Sequence, residues 1–429
     1  MSEDHQGQLV TCLAWNNEGT NLAVGMPHGF IIYSTELLLA DEGWLCEVLR
    51  RPVLGGVGII ALHGQSNVLV VAGWSVSHCA TVTLLDLTVR DARGEELSVP
   101  ARVTLSSPVE ALRFHPRLVV IGEKSGCVHF FDHQLRKIES FRVSHKARQT
   151  RRAADTMALA TMLVEQLASG MCFSLLHGVI LGPTPGTVRC IRYVSEQRIK
   201  PNVMPHSLVG IMDEAPIQPL MEKTVELHHN EVQCIAITPD GVRALTVSER
   251  GTSLKLLDVE KGVVLCQFSR GTTPNTVHTL SLIVTSTDTV ATCISDTGTL
   301  HLFHIPASGI SGRQVTAAAN TSETVVGSKL VRAWKDYIGS IGPKSRLSVP
   351  DDGLENDLSE QQTYSRTLYN VVLRPIAKKA SCVAHLIQRD VSLTGVAMKA
   401  RMLNIHVDLS AVAEGMMVTR SFYFPREEL

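Results

Sequence analysis

The sequence predicts an all-β fold, a seven-bladed β-propeller built from one chain of 429 residues. Short β-rich runs recur in units of about 40 residues, and turns that contain glycine separate many of them. The chain also exceeds the roughly 250–300 residues that one hydrophobic core supports. A closed ring of repeats satisfies this limit because each repeat packs on its neighbours. We therefore predict that the range 1–429 forms a single domain.

The first four repeats each contain extended runs joined by short turns. The runs are Leu9–Trp15, Asn21–Val24 and Gly29–Tyr33 in the first repeat, and Gly58–Leu62, Val68–Ala72 and Thr81–Leu87 in the second. They are Val109–Phe114, Leu118–Ile121 and Cys127–Asp132 in the third, and Met171–Leu175, Gly178–Leu181 and Thr187–Arg192 in the weaker fourth. Valine, isoleucine and aromatic residues dominate these runs, which is typical of strands.

The fifth and sixth repeats are the clearest because they resemble each other. Their runs are Val232–Ile237, Ala244–Val247 and Leu254–Asp258 in the fifth, and Thr279–Ile283, Val290–Ile294 and Leu300–His304 in the sixth. A stretched seventh repeat contains Tyr369–Leu373, Ala380–Leu386, Val391–Val396 and Leu403–Asp408. None of the repeats carries a Trp-Asp dipeptide, so the blades are predicted to be degenerate versions of the WD40 type.

Two β-sandwiches are the alternative fold, because they also give short strands at even spacing. The similarity of the fifth and sixth repeats argues against them. Each of the two repeats has a Gly-Thr turn followed by an alternating strand, at Gly251-Thr252 and at Thr297–Thr299. Repetition of this kind is expected of a propeller and not of a sandwich.

Two long insertions interrupt the repeats. The first, 142–168, starts with a basic run and continues as the Ala/Met/Leu-rich segment Ala153–Leu167, which favours a helix. It is predicted to be a solvated loop with a short helix; a surface for a partner or a phosphate is the alternative. The second insertion spans 306–366.

Within the second insertion, the segment 329–346 has the pattern of an amphipathic helix. Lysine and arginine side chains flank an apolar stripe, a combination typical of helices that lie in the headgroup layer of a membrane. The alternative is that the stripe packs on the flank of the propeller. The stripe consists of Leu330, Trp334, Tyr337, Ile338 and Ile341.

Composition and charge exclude several functions. The formal net charge of −1 gives no general attraction to nucleic acid, so we expect no nucleic-acid partner. Ten cysteines are scattered without a CxxC pair, as expected of reduced thiols in a cytosolic protein. The polar start of the sequence and the absence of a long apolar run predict a soluble or at most peripheral protein, monomeric in solution.

The sequence contains no catalytic or metal-binding motif. It has no HExxH, no GxSxG and no glycine-rich phosphate loop, so we expect neither an enzyme nor a cofactor. The pairs His228-His229 and His301/His304 resemble metal ligands only superficially, because strand alternation or turn capping explains them. No metal site is predicted.

One short segment, Phe268-Ser269-Arg270-Gly271, carries the functional argument and is called the FSRG segment below. It follows the extended run Val263–Gln267 of the fifth repeat. Because neighbouring side chains of a strand point in opposite directions, Ser269 and Arg270 are predicted to face different pockets.

Several motifs resemble those of the PROPPIN family, autophagy-associated seven-bladed propellers that bind polyphosphoinositides. The resemblance covers nearly the whole chain and is strongest in the fifth and sixth repeats. The matching stretches are Gly29–Tyr33, Arg50–Pro52, Gly55–Gly58, Leu227-His228, Ser248–Thr252 with Lys255, and Thr297–Phe303. The family signature is Phe/Leu-Arg-Arg-Gly, whose two arginines serve two separate headgroup sites.

The resemblance implies two lipid-binding sites of unequal strength. The stronger site would contain Arg270, Ser295, Thr297, Thr299 and His301. The weaker site would contain His228, Ser248, Thr252, Lys255 and Ser269. Ser269 replaces the first arginine of the signature, and a neutral hydroxyl loses a charge-assisted bond of about 1.5–3 kcal/mol.

The resemblance also implies a function. The expected protein is a peripheral scaffold that binds phosphatidylinositol 3-phosphate and phosphatidylinositol 3,5-bisphosphate. It would be recruited from the cytosol to autophagosomal precursor or endolysosomal membranes and act in autophagosome formation with lipid-transfer or conjugation proteins. The alternative is a protein-interaction propeller of the same family whose lipid binding is weak or lost.

Overall fold

The computed structural model describes most of the predicted repeats. The described residues are 10–16, 19–35, 46–63, 67–90, 97–115, 117–143, 157–166, 171–198, 217–284, 288–295, 300–306, 366–375, 381–391, 397–408 and 417–423. Within them, β-strands form seven antiparallel sheets, numbered here in chain order.

Sheets one to four are four-stranded. Sheet one contains β1 (Cys12–Trp15), β2 (Asn21–Met26), β3 (Gly29–Ser34) and β4 (Cys46–Pro52), and sheet two contains β5 (Ile59–Leu62), β6 (Val68–Ala72), β7 (Thr81–Arg90) and β8 (Leu97–Thr104). Sheet three contains β9 (Val109–His115), β10 (Leu118–Glu123), β11 (Cys127–Asp132) and β12 (Lys137–Arg142). Sheet four contains β13 (Met157–Gln166), β14 (Met171–Leu181), β15 (Thr187–Arg198) and β16 (Gln218–Glu226).

Sheets five to seven follow the same order. Sheet five contains β17 (Val232–Ile237), β18 (Arg243–Ser248), β19 (Ser253–Asp258) and β20 (Val263–Ser269). Sheet six has three described strands, β21 (Val277–Val284), β22 (Asp288–Ser295) and β23 (Leu300–Pro306). Sheet seven contains β24 (Arg366–Pro375), β25 (Ser381–Val391), β26 (Ala397–Asp408) and β27 (Met417–Tyr423).

Neighbouring sheets meet through their first strands. Strand β1 contacts β5, β5 contacts β9, β9 contacts β13, β13 contacts β17, β17 contacts β21, and β21 contacts β24. The sheets therefore succeed one another side by side in chain order, as the blades of a propeller do.

The side-by-side arrangement of the sheets determines which strands are buried. A sheet held between two neighbours buries both faces of its inner strands, so β6 and β10 are buried at every residue. The outermost strand of a sheet faces solvent, and most residues of β16 are exposed. Hydrophobic clusters fill the spaces between successive sheets from sheet one to sheet six.

The all-β prediction is confirmed, and each predicted repeat corresponds to one sheet. The helix predicted within Ala153–Leu167 is wrong, because Met157–Gln166 is strand β13 and pairs with β14 over its whole length. Helix propensity predicts structure only weakly. Here the backbone hydrogen bonds with β14 override the helical preference of alanine, methionine and leucine.

Two further strand predictions differ from the structure. The fourth repeat was predicted with a break between Leu175 and Gly178, but β14 runs unbroken through Met171–Leu181. In the seventh repeat the predicted run Val391–Val396 overlaps β25 only at Val391, and 392–396 lies outside the described residues. In both cases pairing with a neighbouring strand determines how long the observed strand is. The local run of strand-forming residues in the sequence does not indicate this length.

The predicted insertions lie largely outside the described residues. This applies to 144–156 and to 307–365, and therefore to the amphipathic segment 329–346 with Leu330, Trp334, Tyr337, Ile338 and Ile341. In the described part of the chain, no helix has the length and apolarity needed to cross a bilayer.

Candidate functional site

The FSRG segment closes sheet five, because Ser269 is the last residue of β20. Residues paired directly across an antiparallel ladder have side chains on the same face. Phe268 pairs with Leu254, whereas Ser269 pairs with Ser253. Phe268 and Ser269 therefore lie on opposite faces of sheet five.

A β-bulge in β20 sets which residue takes which face. Leu257 pairs with Val264 and Leu256 pairs with Cys266, so Leu265 is an extra residue on β20. Side chains along a strand alternate between the two faces of the sheet, and a bulge of this kind shifts this alternation by one residue for all later residues of the strand.

One face of sheet five packs against sheet six, and the space between the two sheets is called the five–six gap below. The rings of Phe268 and Phe303 lie 5.2 Å apart, with Phe303 on β23 of sheet six. The cluster that joins the two sheets includes Leu245, Val247, Leu254, Leu256, Val277, Leu280, Ala291 and Cys293. Phe268 thus fixes the FSRG segment to sheet six.

The Arg270 side chain is held by backbone carbonyl groups at the end of sheet five. Its Nε donates to the carbonyl of Gly251, and its Nη2 donates to the carbonyl of Thr273 at 2.6 Å. Its backbone N–H donates to the carbonyl of Thr252 at 2.9 Å. The guanidinium is therefore fixed in position without being neutralised.

The turn before β19 supplies one of these carbonyls and requires glycine. Gly251 has a φ of +61°, and a Cβ atom on it would lie 1.9 Å from the carbonyl oxygen of Asn275. The Gly251 N–H donates to the carbonyl of Ser248 at 2.8 Å. Only a residue without a side chain fits this turn.

Two predicted residues of sheet six share the face that carries Cys293. Ser295 follows Cys293 by two positions in β22 and is fully buried, and His301 pairs with Cys293 from β23. The ring of His301 is nearly parallel to that of Phe303, at 6.4 Å between centroids. Burial raises the pKa of the Cys293 thiol to about 12, and the charge of Arg270 opposes that rise. Arg270, Ser295 and His301 therefore border the five–six gap.

Thr297 and Thr299, the other two residues predicted for the stronger site, lie outside the described residues.

The opposite face of sheet five packs against sheet four, across what is called the four–five gap below. Apolar residues of the two sheets form one cluster, in which Ala244 and Leu257 of sheet five meet Val179 and Val188 of sheet four. Thr246 and Ser248 follow Ala244 at alternate positions of β18 and so lie on the same face.

A hydrogen-bonded group lies on this face. His228 Nε2 is 2.9 Å from the hydroxyl of Thr246, and the Lys255 ammonium donates to the carbonyl of Leu227. Thr246 and Lys255 are cross-strand partners. Burial, followed by the charge of Lys255, lowers the pKa of His228 to about 4, so this histidine is neutral at pH 7. Sequence reasoning missed Thr246, although its alternation with Ser248 was a usable signal.

The remaining residues predicted for the weaker site lie near the same end of sheet five. Ser248 is buried, Thr252 is half-buried, and Ser269 is exposed beside Ser253. Within the described part of the chain neither Lys255 nor Arg270 forms an ion pair. Among the described residues, no acidic side chain therefore compensates the charge of Arg270 or of Lys255.

Comparison with known proteins gives distant sequence relatives. No model of a known protein family matches the chain. It is 24% identical over 304 residues to autophagy-related protein 18 of Komagataella pastoris, covering 68% of this chain and 51% of the relative. It is 38% identical over 101 residues to autophagy-related protein 18 of Emericella nidulans, covering 23% of this chain and 22% of the relative. The chain thus spans about half the length of the first relative and less of the second.

Solved structures match over almost the whole chain. Kluyveromyces lactis Hsv2 aligns with a TM-score of 0.52 at 14% identity, covering 97% of this chain and 98% of Hsv2. KlAtg21, in its complex with the coiled coil of AgAtg16, aligns with a TM-score of 0.51 at 11% identity, covering 97% and 100%. The solved structures show that the fold is that of the Hsv2 propellers. The chain is thus similar in fold to Hsv2 and Atg21, and its distant sequence relatives are autophagy-related proteins.

Proposed function

We propose that this chain is a peripheral membrane scaffold in autophagosome formation that binds phosphatidylinositol 3-phosphate and phosphatidylinositol 3,5-bisphosphate. The observation that carries the proposal is the geometry of Arg270. Two backbone carbonyls hold its guanidinium, while both N–H groups of Nη1 and one of Nη2 have no partner in the described part of the chain. These groups are free to bind an anion that approaches the five–six gap.

A phosphate monoester suits this arrangement. A guanidinium offers parallel N–H donors that match two phosphate oxygens, and a charge-assisted pair of this kind is stronger than a neutral hydrogen bond. The side chain is half-buried, so it is partly desolvated and yet within reach of a ligand. Ser295 and His301 border the same gap and give the headgroup polar neighbours.

The four–five gap is proposed as a second, weaker headgroup site. Lys255 supplies its charge, and His228, Ser248, Thr252 and Ser269 supply neutral polar groups. An arginine at position 269 would add a charge-assisted bond of about 1.5–3 kcal/mol, which the serine hydroxyl does not provide.

Weak sites on one rigid body bind a membrane jointly. After one headgroup is bound, a second contact forms at high effective concentration, so avidity exceeds either single affinity. We propose that the amphipathic segment 329–346 adds such a contact with its apolar stripe buried in the headgroup layer.

Protein partners form the second half of the scaffold proposal. KlAtg21, which shares the fold, is seen in complex with the coiled coil of AgAtg16. This likeness supports autophagy proteins of the lipid-transfer or conjugation machinery as partners of this chain, which would be recruited to autophagosomal precursor or endolysosomal membranes from the cytosol.

Flotation with liposomes tests the lipid proposal. Liposomes of phosphatidylcholine would contain phosphatidylinositol 3-phosphate, phosphatidylinositol 3,5-bisphosphate or neither. We expect the wild type to float only with the phosphoinositides, and Arg270→Ala to bind about tenfold or more weakly because a charge-assisted contact is lost.

A second arginine provides the matched control. Arg136 is 69% exposed and pairs with Asp132 on sheet three, so Arg136→Ala removes the same charge far from both gaps. This variant should bind like the wild type. Equal flotation of Arg270→Ala and the wild type would overturn the proposal, and a wild type that never floats would favour the protein-interaction alternative.

A further inference from the structure

The hairpin between β10 and β11 brings three metal-ligand side chains to one face of sheet three. Glu123 ends β10 and Cys127 begins β11, with a turn closed by a 2.8 Å bond from the Gly126 N–H to the Glu123 carbonyl. Ile121 pairs with His129, and Glu123 lies two residues beyond Ile121. Glu123, Cys127 and His129 therefore project from the same side of the hairpin.

The ligand atoms lie close to the spacing of a tetrahedral metal site. The carboxylate, the thiol and an imidazole nitrogen lie within 4.8 Å of one another. His129 Nε2 is 3.4 Å from Glu123 Oε2. Ligands bound to zinc at about 2.0–2.3 Å are roughly 3.3–3.8 Å apart, so the nitrogen and oxygen already have this spacing. The thiol of Cys127 lies within 4.8 Å of both atoms, so it has to move inward by at most about 1 Å to complete the group.

Neighbouring serines hold two of the three ligands in place. His129 Nδ1 lies 2.7 Å from the hydroxyl of Ser140, which leaves Nε2 directed at Glu123. Glu123 accepts hydrogen bonds from the Ser106 N–H at 3.0 Å and from the Ser125 hydroxyl at 2.7 Å. Metal-ligating histidines and carboxylates have outer hydrogen bonds of this kind, which fix their orientation.

The exposed turn of the hairpin gives an ion a route of entry. Glu123 and His129 are buried, Cys127 is half-buried, and the turn residues Lys124 and Ser125 are exposed. An ion reaching the hairpin end would bind the three side chains and keep a fourth position toward solvent.

We propose that Glu123, Cys127 and His129 bind one divalent cation of the zinc class. A thiolate and an imidazole select zinc and similar ions over magnesium and calcium, which prefer oxygen ligands. The thiolate and the carboxylate together balance the two positive charges of the ion. Bound zinc would clamp the β10–β11 hairpin, away from the five–six and four–five gaps, so this site is independent of the lipid proposal.

The experiment uses the full chain, stripped of metal with a chelator and titrated with Zn²⁺ in a calorimeter. We expect about one equivalent to bind. Cys127→Ser should weaken binding at least tenfold because it removes the thiolate. Ser140→Ala should weaken binding about 10- to 100-fold because it frees the imidazole.

Cobalt identifies the sulfur ligand. Co²⁺ bound at this site should give a thiolate-to-cobalt charge-transfer band that is absent in Cys127→Ser. The matched control is Cys46→Ser, which removes an exposed thiol on sheet one and should retain the band.

Thermal melting separates ligand loss from misfolding. Metal-free Cys127→Ser should melt like the metal-free wild type, and Zn²⁺ should raise the Tm of the wild type alone, because a ligand that binds the native state stabilises it. The absence of a stoichiometric Zn²⁺ site, or binding that Cys127→Ser leaves unchanged, would overturn the proposal and assign Glu123 and His129 to holding the turn.

Discussion

The five–six and four–five gaps lie on the two sides of sheet five, yet they hold their cations differently. In the five–six gap, the carbonyls of Gly251 and Thr273 hold the Arg270 guanidinium. In the four–five gap, one carbonyl holds the Lys255 ammonium beside the neutral ring of His228. A planar guanidinium can bond to its own scaffold and still present donors to a ligand, whereas an ammonium is a compact point charge. Ser269 pairs with Ser253 on the four–five side, so the proposed lack of a guanidinium at this position concerns that side alone.

The largest expected effect comes from breaking the Arg270 support. Gly251→Ala forces a side chain into a left-handed turn and against the carbonyl of Asn275, 1.9 Å from the new Cβ. We expect a loss of about 3 kcal/mol in the free energy of unfolding, since backbone strain alone costs about 1–3 kcal/mol. Urea denaturation measures this loss, and phosphoinositide binding should fall with it.

Gly262 provides the control for this prediction. It also has a left-handed φ, of +68°, but the atoms nearest its Cβ belong to the flexible side chain of Lys223. Gly262→Ala should therefore cost only about 1–2 kcal/mol and leave lipid binding intact. Equal losses in the two variants would show that the Gly251 turn has no special role.

The second-largest expected effect comes from giving both gaps an arginine. Ser269→Arg restores the missing guanidinium on the face of Ser253 and Lys255, and we expect phosphoinositide affinity to rise about tenfold or more. Liposome titration measures the gain. The same substitution in an Arg270→Ala background should recover part of the lost binding, because Ser269 lies on the side of the other proposed headgroup site. No gain in either background would mean that the four–five gap holds no headgroup.

The last prediction concerns the buried histidine of the four–five gap, whose effect on stability is confined to acidic pH. The native pKa of His228 lies at about 4, below its ordinary value of 6.5, so the unfolded chain binds this proton more tightly. The stabilising contribution is therefore complete above pH 6.5 and is lost as the pH falls toward 4, with a slope of up to about 1.4 kcal/mol per pH unit. Urea denaturation between pH 4 and pH 7 should show a shallower pH dependence for His228→Gln.

The exposed His28 of sheet one is the control, because it lies away from the four–five gap. His28→Gln should follow the wild-type pH profile. A His228→Gln profile that matches the wild type would contradict the assignment of this proton to the four–five gap.

The sequence was most informative where burial is greatest. Inner strands such as β6 and β10 are apolar on both faces and were predicted near their observed bounds. Outer strands such as β4 and β16 were not predicted, because their mostly exposed residues mix charged and apolar types and form no continuous hydrophobic run. The helix prediction for strand β13 is wrong because its residues favour a helix in isolation, whereas pairing with β14 makes them a strand.

The positions of some candidate site residues could also be predicted from the sequence. Alternation along a strand sufficed to assign Ser269 and Arg270 to different faces, and the structure places Ser295 and His301 across from sheet five. The support of Arg270 was out of reach of sequence reasoning, because it depends on the carbonyls of Gly251 and Thr273, which every residue type possesses. The sequence contains the spacing Glu-x3-Cys-x-His at Glu123, Cys127 and His129, but the sequence analysis did not identify it as a possible metal site.

The extra residue Leu265 in β20 has a consequence for how such propellers diverge. If the same residue were accommodated in the ladder without a bulge, every later residue of β20 would change faces, so that Phe268 would take the side now held by Ser269 and Arg270 would turn toward sheet four. Removing Leu265 together with the bulge would instead keep Phe268 opposite Leu254 and Ser269 opposite Ser253. The bulge therefore protects the ligand preferences of two neighbouring gaps from a change in the length of the outer strand, and an insertion or deletion exchanges them only where no bulge absorbs it.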